Sequence, residues 1–92
     1  MFRVIDTILF DASVIHRYPE FAERGKGVMA ILDPNQIQEA PAIHDRALTI
    51  HKPDGSVAQV LAGSSEVHHS AVGILFPAAS SDDIPRGSEL EW

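Results

Sequence analysis

The sequence predicts an all-β domain, a small antiparallel barrel that is closed or nearly so. Short runs rich in β-branched and aromatic residues recur along the chain, with turn signals about every ten residues and almost no helical periodicity. Closure also removes the strand edges that so much β-branched content would otherwise leave open. With 92 residues the chain reads as one domain, 1–92. A chain of this size hides only about two-thirds of its unfolded surface, enough for a single core.

The first element is Phe2–Phe10. Phe2, Val4, Ile8 and Phe10 share one face by alternation, Ile5, Thr7 and Leu9 the other, which predicts a central strand. Asp6 falls on an apolar face. Tyr18–Arg24 is the one helical candidate: Pro19 suits a first turn, Glu20 and Glu23 favour it, and Gly25 ends it. Val28–Leu32 reads as a buried strand stopped by Asp33-Pro34-Asn35. Pro41 cannot donate to a ladder, so its surroundings are an edge or a connection. Arg46–His51 alternates with Leu48 and Ile50 inward.

Lys52-Pro53-Asp54-Gly55-Ser56 is a reversal, with proline fixing φ early and Gly55 supplying a positive φ. The return strand is Val57–Leu61, and Ala62-Gly63-Ser64-Ser65 reads as its end. Ala71–Phe76 is a further apolar strand. It runs into a polar turn, Asp82-Asp83-Ile84-Pro85-Arg86-Gly87, and the chain leaves through Glu89-Leu90-Glu91-Trp92.

The turn has a structural grammar. Asp82 and Asp83 favour the start of a helical turn, with Ser80 or Ser81 available to cap it. Ile84 is placed to plug a barrel mouth, and Gly87 suits a left-handed position before the last strand. Asp82, Asp83, Ile84, Arg86 and Gly87 are therefore assigned a structural role, as the clasp between two strands.

Val72-Gly73-Ile74-Leu75-Phe76 followed by Asp82-Asp83-Ile84-Pro85-Arg86-Gly87 and Glu89-Leu90 resembles the second domain of elongation factor Tu and related translation GTPases. There an apolar Val-Gly strand runs into an acid-acid-Ile-x-Arg-Gly turn and a closing strand. Ile43-His44-Asp45-Arg46-Ala47-Leu48-Thr49-Ile50 is similar to a second segment of that family, with His44 in place of its usual glycine. The resemblance implies a six-stranded antiparallel Greek-key barrel, here with one short helical turn. It does not carry GTP hydrolysis with it, because the chain has no GxxxxGK[ST] phosphate-binding loop.

Composition narrows the function classes. There is no cysteine, hence no disulfide scaffold, thiolate metal site or cysteine nucleophile. Thirteen acids against seven scattered bases give a net charge of −6, which opposes phosphate neutralisation and makes nucleic acid an unfavourable partner. No run approaches the roughly 20 apolar residues that cross a bilayer as a helix. The opening MFRVIDTILFDAS is interrupted by Asp6 and Asp11 and does not read as a signal peptide, so the expected location is cytoplasmic.

The chemistry-bearing residues each have a plain structural reading. His68 and His69 are adjacent and would face opposite sides of a strand, as would His44 and His51, so no pair has metal-ligand spacing. Asp6 is either a buried acid of raised pKa or a rim residue paired with Arg3, Arg46 or Arg86. Ser64, Ser65, Ser80 and Ser81 sit in turn contexts, and no GxSxG elbow is present. Phe10, Tyr18, Phe21, Met29 and Trp92 exceed what so small a barrel encloses. Tyr18, Phe21 and Trp92 are thus the candidate interaction surface, unless the Tyr18–Arg24 turn plugs one barrel end.

The leading expectation is a non-catalytic interaction module without cofactor, binding a protein partner or itself as a homodimer. Two alternatives stand beside it. One is a small enzyme or metal-binding protein using His and Asp at a barrel mouth; the other is a ribosome- or RNA-associated accessory domain.

Overall fold

The computed structural model describes residues 1–10, 27–68 and 70–92. Six antiparallel strands form a closed barrel: β1 (Phe2–Phe10), β2 (Gly27–Leu32), β3 (His44–His51), β4 (Val57–His68), β5 (Ala71–Phe76) and β6 (Glu89–Glu91). Around the barrel their order is β1-β2-β5-β4-β3-β6. Among the described residues there is no helix; the expected helical turn at Tyr18–Arg24 lies outside them.

The inward faces supply one core. Ala30 and Leu32 of β2, Leu48 and Ile50 of β3, Val72, Ile74 and Phe76 of β5, and Leu90 of β6 are all buried in it. Ile43 and Ile84 enter this core from connecting segments, and Ile84 is fully buried. Ile84 thus occupies the plugging position its sequence context implies. Each of these side chains larger than alanine withdraws apolar area worth about 1.5–3 kcal/mol. A second, smaller cluster lies on the opposite, outer side of the sheet. It joins Met29, Leu75 and Ile31, with Met29 directly across the ladder from Leu75.

The β3–β4 hairpin has the predicted reversal. Gly55 N–H donates to Lys52 O at 3.0 Å and Lys52 N–H to Ser56 O at 2.8 Å, with Gly55 at φ +90. The Asp54 carboxylate accepts from both the N–H and the hydroxyl of Ser56, and these bonds hold its pKa below the usual 3.8.

Several expectations are corrected. Ala62–Ser65 does not end a strand: β4 runs unbroken for 12 residues, pairing through Val57–Ser64 with β3 and through Ser64–His68 with β5. The small residues mark where β4 changes partner, and Gly63 lies close to the Pro77 ring. Beyond it the inward set passes from Ala62 to Ser65, which stands opposite Ile74 and whose hydroxyl donates to Pro41 O.

The alternation assigned to β1 is also broken. The ladder to β2 pairs Val4 with Leu32 but Asp6 with Ile31, so Ile5 is an extra residue in a β-bulge. Past the bulge Thr7 and Leu9 stand opposite Ala30 and Val28, while Asp6 and Ile8 join the outer row with Ile31 and Met29. Asp6 is accordingly exposed, not a buried acid. Nor is β1 central along its length, since β6 pairs only with Phe2 and Arg3. Finally, the Ser80 hydroxyl does not accept from the turn at Asp82–Asp83 as a cap would. Ser80 donates its N–H (2.8 Å) and its hydroxyl (3.2 Å) to the Asp83 carboxylate, and Asp83 N–H returns a bond to Ser80 O at 3.1 Å.

Because Ile84 fills the core from a loop, its truncation leaves a cavity that strands cannot collapse into. Ile84→Ala is expected to lose about 2–5 kcal/mol in urea denaturation. A loss below about 1 kcal/mol would show the plug to be dispensable.

Candidate functional site

The Asp82–Gly87 turn and the first strand meet at one seam of the barrel. Pro85-Arg86-Gly87-Ser88 is a turn closed by Ser88 N–H to Pro85 O at 3.0 Å, with Gly87 at φ +91 in its third position. Arg86 keeps a negative φ, so this is a type II turn, which favours glycine there. Gly87 N–H then donates to Val4 O at 2.9 Å, and Val4 N–H donates to Ser88 O at 2.8 Å. Two residues of the turn oppose one of β1, a bulge with glycine in the left-handed position. The β3–β4 hairpin repeats this pattern at Lys52, Gly55 and Ser56, and the two turns touch where Gly87 meets Pro53.

Side chains reinforce the seam. The bulge at Ile5 turns Asp6 outward, where its Oδ1 accepts from Arg86 Nη2 and from the Thr7 N–H, each at 2.9 Å. The Arg86 hydrogen bond is the main reason the Asp6 carboxyl is held below its usual 3.8, with the Thr7 amide second. Of the arginines named as partners for Asp6, the structure brings Arg86 to it. Both groups are more than half exposed, so the pair is positional and screened by solvent. Ser88 is fully buried beside this seam, and its hydroxyl has no hydrogen-bond partner among the described residues.

One turn further along, β6 lies between β1 and β3. Leu90 stands opposite both Phe2 and Ile50, and the His51 Nε2 lies 2.9 Å from Glu91 Oε1. Trp92 is half-buried against the core and stacks on Phe2, with ring centroids 4.6 Å apart and planes 17° from parallel. Stacking of this kind is worth about 0.5–1.5 kcal/mol beyond burial. Tyr18 and Phe21, placed with Trp92 in the candidate surface, lie outside the described residues, so the three are not brought together here.

The 33–38 turn holds the other side of β1. Arg3 N–H donates to Gln36 Oε1 at 2.7 Å, and Asp33 N–H donates to Arg3 O at 3.0 Å. A shallow groove runs between Phe2 and residues 35–39, lined by Asn35, Gln36, Ile37, Gln38 and Glu39. His44 is exposed and 3.4 Å from its neighbour Asp45, which takes a left-handed φ of +48. No three His, Asp or Glu side chains converge on one point among the described residues.

The structure also shows a feature the residue types did not announce. Large aliphatic side chains stand exposed: Ile5 at the bulge and Ile8 in the outer row of β1, and Val57 (59%) and Leu61 (48%) on the outer face of β4. Leu9 and Val67 are exposed in the rows opposite the buried Val28 and Val72. For β4 the signal is present as alternation, since Ala58 and Val60 point in and leave Val57, Gln59 and Leu61 outside. Comparison with protein-family models, curated proteins and solved structures finds no match to this chain.

Two outcomes test the seam. Gly87→Val forces a β-branched side chain into a left-handed backbone and against Pro53, and is expected to lose about 1–2 kcal/mol or more; unchanged melting would contradict this. A depressed carboxyl pKa stabilises the fold above its ordinary value, and this contribution disappears as pH falls through the folded-state value. Wild type should therefore exceed Asp6→Asn in urea midpoint at about pH 7, with the difference closing below about pH 4. A difference that persists at about pH 2 would mean that Asp6 acts by some route other than its charge.

Proposed function

We propose that this chain is a non-catalytic interaction module, a six-stranded Greek-key barrel of the translation-factor domain-two type, presenting its outer strand faces to a protein partner. The observation that carries this reading is the exposure of aliphatic side chains on β1 and β4, above all Val57 and Leu61, where a solitary barrel favours polar residues. The polar side chains that sequence logic singles out support it from the other side. Asp6 and Arg86 hold the seam, His51 and Glu91 bridge β3 and β6, and Ser80 and Asp83 fix a turn. Each is engaged in shaping the barrel.

The Greek-key assignment rests on strand order. β3, β4 and β5 are consecutive hairpin neighbours, and β6 returns by a long connection to lie beside β3. The likeness to the translation-factor domain is supported by the sequence of the Val72–Phe76 strand, the Asp82–Gly87 turn and the closing Glu89-Leu90. A cytoplasmic setting is part of the proposal.

The experiment is native isolation of the chain from its own cells under mild crosslinking, followed by mass analysis. The reading expects a complex of fixed stoichiometry that Ile8→Lys, an outward substitution on β1, weakens without changing the melting temperature. A chain recovered uncrosslinked to any protein from extract, and monomeric when purified at every concentration up to about 1 mM, would overturn it.

A further inference from the structure

The outer edge of β4 lies open past the end of β5. β5 stops at Phe76, and the register that pairs Ser64 with Leu75 brings Pro77 level with Ala62. Proline has no N–H to continue the ladder, and the chain turns away there, with Ala79 N–H closing a turn on Phe76 O at 3.3 Å. Among the described residues, Val57–Leu61 therefore pairs with β3 on one side and with no strand on the other.

The hairpin fixes which groups face that side. Lys52 and Ser56 are a hydrogen-bonded pair, and such pairs alternate along an antiparallel ladder. Ala58 and Val60 thus bond to β3, and the N–H and C=O of Val57, Gln59 and Leu61 point outward. Natural edges are blunted by charge, proline, bulge or cover. Residues 57–65, VAQVLAGSS, contain no charge and no proline. Val57 and Leu61 are exposed at 59% and 48%, so about half or more of each side chain is open to solvent.

We propose that this edge pairs antiparallel with the same edge of a second copy, about a two-fold axis through Gln59. This deepens, and rests on, the reading of the chain as an interaction module. In that register Gln59 meets Gln59 of the second copy, and Val57 meets Leu61. The outward N–H and C=O groups of all three residues are exchanged, and the exposed aliphatic side chains become cross-strand pairs. The self-complementary register points to a second copy at this place, because it sets Val57 against Leu61 twice over. Although two chains of net charge −6 repel, the uncharged 57–65 edge is a place where they meet without opposing like charges. Two five-residue strands bury less than the roughly 1,200 Å² of stable complexes, so the dimer is weak and concentration-dependent.

Sedimentation velocity of the purified full chain, from about 10 µM to about 1 mM, tests this. The weight-average mass should rise from one chain toward two. Gln59→Lys, which sets like charges on the axis, should raise the dissociation constant at least about tenfold. Gln59→Pro, which removes an outward N–H without breaking the β3 ladder, should do the same. Gln59→Cys should give a disulfide-linked dimer on mild oxidation, and Gln38→Cys on the far groove should not. Monomer at every concentration, or a dimer indifferent to both Gln59→Lys and Gln59→Pro, overturns self-pairing. Such a monomer isolated from cells in a complex with a different protein overturns self-pairing alone and leaves the module reading standing.

Discussion

The barrel depends on what Val4 does with its two backbone groups. β6 is three residues long, and its ladder to β1 consists of Phe2 with Leu90 and Arg3 with Glu89. The next rung is supplied by the Pro85–Ser88 turn, which bonds to both the N–H and the C=O of Val4. Without that rung a three-residue strand would carry the closure alone. An unpaired Val4 would also leave backbone groups unsatisfied beside a fully buried side chain, at a cost comparable to a lost hydrogen bond.

Several features around the seam follow from this constraint. Two residues of the turn must face one of β1, which requires a left-handed position, and Gly87 fills it. The bulge at Ile5 follows directly on β1 and rotates Asp6 to the outside, within reach of Arg86. The connection from β5 to this turn has to cross the barrel mouth, and Ile84 takes the interior position along the way. The Phe2–Trp92 stack and the His51–Glu91 contact then hold β6 from its far end.

Much of this was legible in the residues, and the reason is local. The bounds of β1 and β5, the Pro53–Gly55 reversal, the inward Leu48 and Ile50, and the plugging Ile84 all follow from alternation, proline and glycine within a few positions. What misled were features that exist only between strands. The bulge at Ile5 is an extra residue relative to β2, invisible in β1 alone, and it moved Asp6 from an apolar face to solvent. Gly63-Ser64-Ser65 looks like a stop because small polar residues favour turns, yet a strand that changes partners uses the same residues. The exposed pair Val57 and Leu61 was encoded in plain alternation. Its meaning appears only once β5 is seen to stop short of them.

The Val4 seam is as stable as the barrel itself. Amide hydrogen exchange measures this directly. The Val4 and Gly87 amides are expected to exchange only through global opening, with the same free energy as the β5 amides of Val72 and Ile74. Val4 and Gly87 exchanging orders of magnitude faster than β5 would show a barrel that opens at this seam while the rest stays folded, and would contradict the account.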